Sequence, residues 1–232
     1  MDFRASAGRS LGADASASLQ EKLRPRYTAF KERRAFEARW EIRPGQQPLA
    51  GGADQGLQGY ILESPDGRDI GQFRLDGFTY NRLRPYTNGQ AVLDEALRLW
   101  SLYVEVAAPA LVSRVALRYI NHLLLATPVD GLGEYLADPP GHPHGSPGHI
   151  ENSLSRLVTY DPPRGIRVIT TQVLEKPVDA SSLTVILDID VFRLADLGVH
   201  ADELRPTLET LRDVKNEVFF GSITERTAEL YE

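Results

Sequence analysis

Three histidines fall within eight residues, His142, His144 and His149 in GHPHGSPGH, and could in principle converge on a metal. Neutral imidazoles bind transition metals well. No cysteine completes a ligand set, however, and the surrounding glycines and prolines supply no rigid scaffold. A solvated loop is the simpler reading, and neither a metal nor another cofactor is expected.

Asp188 and Asp190 stand two apart in LDID. In a strand that spacing puts both carboxylates on one face, with Leu187 and Ile189 on the other. Paired carboxylates can hold magnesium or move protons. Arg114, Arg118 and His122 share one face of another strand, so ion pairs across an open sheet face explain both sets without chemistry. Asn121 in RYIN lies with Val115, Leu117 and Tyr119 on the apolar face of that strand. A buried amide left unpaired costs roughly 1–3 kcal/mol, so Asn121 is expected to cap a helix end or bind a loop backbone.

Lys215 in LRDVKNEVFFGSIT is the least expected of the candidates. With Leu204 as the origin of a helix turning 100° per residue, Leu208, Leu211, Lys215 and Val218 all fall within about 40° of it. Asn216 lies on the flank of that stripe. An ammonium on an apolar face has three outcomes. It can snorkel to solvent, pair with a buried carboxylate, or line a cavity between helix and sheet and meet a ligand.

These residues need elements to hold them. Residues 1–15 are small and polar and read as a poorly ordered N-terminus. A short helix follows over 16–24, ending at Pro25, then a strand from AFEARWEIRP to Arg43. PGQQPLAGGADQG, residues 44–56, reads as a loop. LQGYILES and DIGQFRLDGFTYNRL flank Pro-Asp-Gly, a hairpin signature. Residues 89–107 carry Leu93, Ala96, Leu97, Trp100, Tyr103 and Val104 at helical spacing, with Asp94, Glu95, Arg98 and Glu105 largely outside the stripe. Residues 111–125 form a long strand, and LGEYLAD a short helical turn. Residues 150–160 and 165–174 form a second hairpin around DPPRG, followed by a strand over 181–192 and a helix over about 202–219.

The order of elements recurs. Helix, three strands and a long helix appear twice, which divides one domain over 16–232 into similar halves, 16–125 and 126–232. The expected class is α+β: a curved antiparallel sheet with two long helices packed on one face, pseudo-duplicated. Helix-grip and TATA-binding-protein-like folds follow the same logic, by analogy only.

The chain has 232 residues, no cysteine and a net charge of −6. The missing cysteine excludes disulfides and thiolate chemistry, and the acidic balance disfavours nucleic acid. No apolar run is long enough for a signal peptide or a membrane span, so a cytoplasmic location without membrane contact is expected. No G-x-S-x-G, phosphate loop, dinucleotide fingerprint or H-E-x-x-H is present.

LRYINHL (117–123), the helix bearing Leu99, Trp100 and Tyr103, ILDIDVF (186–192) and LRDVKNEVFFGSITE (211–225) occur in order. Together they resemble the signature blocks RYIN, DID and LRxxKNxxFFGSIT of a sporadically distributed bacterial family of unestablished biochemical function. Members of that family open with a strand bearing a proline and a glutamate, which residues 1–15 do not resemble. Sporadic distribution is similar to that of genes in mobile defence or toxin–antitoxin loci.

The absent catalytic motifs and the mixed-charge sheet face favour a non-enzymatic binding or interaction module, acting through a protein partner or self-association. The candidate binding residues are Lys215, Asn216, Asn121, Arg118, Asp188 and Asp190. The alternative is a small-molecule binder or enzyme with its pocket between the C-terminal helix and the sheet, lined by Lys215, Asn216 and Asn121.

Overall fold

The computed structural model describes residues 1–5, 8, 11, 13–41, 49–85, 88–126, 131–141, 150–175 and 182–230. The chain is α+β, with its strands paired antiparallel in an open sheet. It divides into two compact units, Met1–Ser113 with Asp196–Arg205 and Arg114–Ala195 with Pro206–Glu232. The boundary therefore differs from the expected 125/126. It falls inside one long strand, Val112–Ala126, where no shift of composition marks it.

The first unit contains β1 (Asp2–Ala5), α1 (Ala13–Leu23), β2 (Ala29–Glu41), β3 (Leu49–Glu63), β4 (Asp69–Arg74), β5 (Gly77–Arg82) and α2 (Gly89–Ala107). Its strands run in the order β2-β3-β4-β5-β1. The expectation of a poorly ordered start fails at Asp2–Ala5, which pairs with β5 as Asp2↔Thr79, Phe3↔Phe78 and Arg4↔Gly77. Four residues are too few to show a period, and only the neighbouring strand reveals them. This strand holds neither proline nor glutamate.

Two further expectations are corrected. Residues 49–56, read as loop, begin β3, with Gly52 opposite Ala38 and Ala53 opposite Glu37. Backbone pairing with β2 overrides their weak strand propensity. The run 69–83 is two strands, broken at Leu75–Asp76. Gly77 follows at φ +147°, where a Cβ would stand 2.0 Å from the carbonyl oxygen of Phe3. Only glycine lets β1 approach so closely.

The Pro-Asp-Gly hairpin forms between β3 and β4, with Gly67 at φ +68°. Asp66 accepts from Ser64 Oγ (2.6 Å) and from the Arg68 N–H (3.1 Å), the local bonding that suits aspartate to turns. Helix α2 starts where Asn88 accepts from the Gln90 and Ala91 N–H groups. It ends at Ala108 in the left-handed conformation, just before Pro109. Its stripe meets the sheet in an aromatic core. Phe3 stacks on Trp100 at 4.9 Å, and Phe73 meets Tyr103 edge-on at 5.7 Å.

The second unit contains β6 (Val112–Ala126, from Arg114), a 3₁₀ turn (Leu132–Glu134), β7 (Ser153–Asp161), β8 (Ile166–Glu175), β9 (Ser182–Leu197, to Ala195), most of α3 (Ala201–Ser222) and α4 (Glu225–Glu229). Its strands run β6-β9-β8-β7. Val115, Leu117, Leu123 and Leu125 of β6 and Val185, Leu187, Ile189 and Val191 of β9 are buried, as are Leu208, Leu211 and Val214 of α3. These odd-numbered strand residues share the face toward α3, and the even-numbered residues share the opposite, open face. Among the described residues, no helix is long and apolar enough to cross a membrane.

Candidate functional site

The six candidate residues all fall in the second unit, but β6 and β9 distribute them over two faces. Lys215 and Asn121 belong to the α3 side, and Arg118, Asp188 and Asp190 to the open side. They do not make one constellation.

On the α3 side, the Lys215 ammonium lies 4.1 Å from the centroid of the Tyr119 ring. The helical stripe placed Lys215 correctly over the sheet. It could not show that the strand residue beneath would be an aromatic face rather than a carboxylate. Burial and the nearby Arg212 guanidinium lower the Lys215 pKa from its ordinary 10.5. The negative face of the Tyr119 ring offsets part of that cost. Asn121 donates to the Leu187 carbonyl at 3.0 Å, so its partner is the backbone of strand β9 and not the helix end or loop expected of it. Asn216 is half-buried beside Lys215.

Lys215→Met tests this balance. Methionine retains the stem and a favourable sulfur–aromatic contact, so stability at pH 7 should stay within about 1 kcal/mol of wild type. Because the folded-state pKa is lowered, the folded protein binds fewer protons than the unfolded chain between that pKa and 10.5. Wild-type stability therefore rises with pH across that window, and the Met variant lacks that rise. Urea unfolding at pH 7, 9 and 10.5 measures the difference, and a pH-independent gap would refute the desolvation argument.

The remainder of the FFGSIT block is a clasp. The Ala137 N–H donates to Ser222 O (3.1 Å) and the Thr224 N–H to Tyr135 O (3.1 Å). Thr224 Oγ1 donates to Glu134 O (2.6 Å) and Thr227 Oγ1 to Tyr135 O (2.7 Å). Ile223 is buried between these bonds. Ser222 to Thr227 thus fasten the end of α3 and the start of α4 to the 3₁₀ turn.

On the open face the arginines and aspartates pair across strands. Arg118 Nε and Nη2 donate to Asp188 at 2.8 and 2.5 Å. Arg114 Nη2 donates to Asp190 at 3.1 Å while its guanidinium lies 4.7 Å over Phe192. Asp188 raises the Arg118 pKa further above its ordinary value. Paired in this way, the carboxylates are held as salt-bridge acceptors.

The register extends this face in rows. Leu154 stands opposite Val173, which stands opposite Ile186. Arg156–Thr171–Asp188, Val158–Ile169–Asp190 and Tyr160–Arg167–Phe192 follow. Arg167 lies 4.6 Å over the Tyr160 ring. Ile120, Leu124, Leu154, Val158 and Tyr160 are each more than half exposed here; on the opposite face Val115, Leu117, Leu187 and Ile189 are buried, while Leu157 of β7 is exposed.

Two features of the first unit escaped the sequence. Glu95, placed outside the apolar stripe of α2, is 4% exposed. It accepts from Tyr27 Oη (2.7 Å) and from Arg98 (2.8 and 2.9 Å), and pairs with Arg26 (2.9 Å). Burial and this hydrogen bond push the Tyr27 phenol well above its ordinary pKa. The Glu-x-x-Arg spacing from Glu95 to Arg98 was the available signal. The second feature is a cleft of about 570 Å³ lined by Arg33, Arg34, Phe36, Gln58 and Arg74, where β2 shifts register. Arg34 is already paired with Asp54, and Arg74 with Asp2 and Asp76.

His142, His144 and His149 lie outside the described residues. Among those described, no group of three or more His, Cys, Asp or Glu is placed to hold a metal ion. Comparison with protein-family models, curated proteins and solved structures finds no match for the chain.

Proposed function

We propose that the chain is a binding module that receives a protein partner on the open sheet face of its second unit. The supporting observation is the set Ile120, Leu124, Leu154, Val158 and Tyr160, all more than half exposed on one face. They stand at the two margins of the face, on β6 and β7, with the half-buried Ile186 and Phe192 of β9 and Val173 and Ile169 of β8 between them. Apolar residues gathered on one face in this way mark an interaction surface. Arg118 stays 57% exposed despite its ion pair, and Arg156 is exposed at the other end of the same row, beyond Asp188 and Thr171. An apolar partner surface carrying carboxylates suits this arrangement.

The family resemblance directs the search to genes beside this one, as in mobile defence or toxin–antitoxin loci. The neighbouring gene's product should bind wild type and Lys215→Met alike in isothermal titration. The double variant Ile120→Glu/Leu124→Glu should weaken binding about 100-fold with the circular dichroism spectrum unchanged. Absence of binding by wild type, or binding that survives the double variant, would overturn this reading.

The two units also read as copies of one element set. Strand, helical segment, edge hairpin, further strand or strands and long helix occur in each, with orders β2-β3-β4-β5-β1 and β7-β8-β9-β6. This recurrence supports the pseudo-duplicated, TATA-binding-protein-like or helix-grip arrangement. A pocket between α3 and the sheet is the weaker functional reading, because Lys215 and Asn121 already engage Tyr119 and Leu187.

A further inference from the structure

The strand order of each unit ends in one edge strand, β2 in the first and β7 in the second. An exposed edge offers unpaired N–H and C=O groups to any passing strand, and folded proteins blunt such edges with charges, prolines and bulges. β2 is blunted in two ways. Five of the seven residues from Lys31 to Glu37 are charged, and its register shifts between Arg33 and Arg34 and again between Arg34 and Phe36.

β7 has little of this protection. It pairs with β8 over all nine residues without a register shift. It contains no proline or glycine, and Arg156 is its only charge before the terminal Asp161. Residues 154–160 are exposed throughout, with Leu154 at 72% and Leu157 at 60%. Leu154, Val158 and Tyr160 project to the open face and Leu157 to the other, so the edge is apolar on both sides. Among the described residues, its outer side has no strand partner.

We propose that β7 pairs antiparallel with β7 of a second copy of this chain, about a two-fold axis through Leu157. The sequence is complementary to itself in this register. Leu154 comes opposite Tyr160, Arg156 opposite Val158, Ser155 opposite Thr159 and Leu157 opposite Leu157, so every residue of the strand is used. An axis at Arg156 would set two guanidiniums against each other, and one at Val158 would run Leu154 onto Pro162. Aromatic–aliphatic and aliphatic pairs on opposed strands stabilise such a sheet, and like charges oppose it. The pairing runs through the backbone edge of β7, although Leu154, Val158 and Tyr160 also belong to the open face. Ile120→Glu/Leu124→Glu leaves β7 untouched, so loss of partner docking and loss of the dimer are distinguishable.

The absence of cysteine makes the register testable. Directly opposed Cα atoms in an antiparallel pair lie about 4.5–5.5 Å apart, within disulfide range. Leu157→Cys should therefore oxidise in air to a covalent dimer, two thiols losing two protons and two electrons to dioxygen. In the same register two copies of Ser155→Cys sit about 14 Å apart and should stay monomeric. In sedimentation equilibrium, wild type should have twice the chain mass. Leu157→Lys places two ammoniums at the axis and should raise the dissociation constant about 100-fold, with circular dichroism unchanged. A wild type that stays monomeric at about 100 µM, a dimer unaffected by Leu157→Lys, or equal cross-linking of both cysteine variants would overturn the proposal.

Discussion

Glu95→Ala should lower the unfolding free energy by about 3–5 kcal/mol, one of the largest effects expected of any single change in the chain. The carboxylate is 4% exposed and serves three partners at once: the Tyr27 hydroxyl, the Arg98 guanidinium and that of Arg26. Alanine leaves Tyr27 without its acceptor and two cations facing a buried gap. Arg26 and Arg98 reach solvent, at 55% and 42% side-chain exposure, so their loss is partly recovered by water. The buried phenol has no such recourse. Glu95→Gln separates the two contributions, because its amide oxygen still accepts from Tyr27 while the charge is gone. It should recover about half of the loss. Thermal unfolding followed by tryptophan fluorescence should show a fall on the order of 10 °C for the alanine variant. A change below about 1 kcal/mol would mean that the cluster is solvated and not a lock.

Phe3→Ala should cost about 3–5 kcal/mol, the usual range for a fully buried aromatic. Phe3 is 0% exposed, stacks on Trp100 at 4.9 Å and lies 5.8 Å from Phe78. A poorly ordered N-terminus predicts no effect at all, so the measurement separates the two readings directly. Phe3→Leu fills most of the space and should cost under about 1.5 kcal/mol. Denaturant titrations of the three proteins should therefore rank wild type, Leu and Ala in that order, and equal midpoints would show that β1 does not hold the core.

Much of the architecture was legible because it depends on short-range rules. The stripe of α2, the Pro-Asp-Gly and DPPRG hairpins and the alternating faces of β6 and β9 repeat a period of 3.6 or 2 within one element. Ion pairs between the two charged strand faces were expected, but the particular pairs Arg114–Asp190 and Arg118–Asp188 depend on β6 lying beside β9. Glu95 was missed because α2 is buried on more than its stripe, with Leu99 at 0% and Glu95 at 4% on a second flank. Helix α1 covers part of α2 in the same unit, which no period within α2 can encode.

By itself, the sequence determined which side chains share a face, where the main turns fall and that Lys215 points at the sheet. Only the tertiary structure decided that Tyr119 lies beneath Lys215, that Asp2–Ala5 is a strand, and that β7 is an unprotected edge while β2 is not. Periodicity records the direction in which a residue leaves its own backbone. What it meets there depends on strand order and register, and these are set by contacts between residues far apart in the chain.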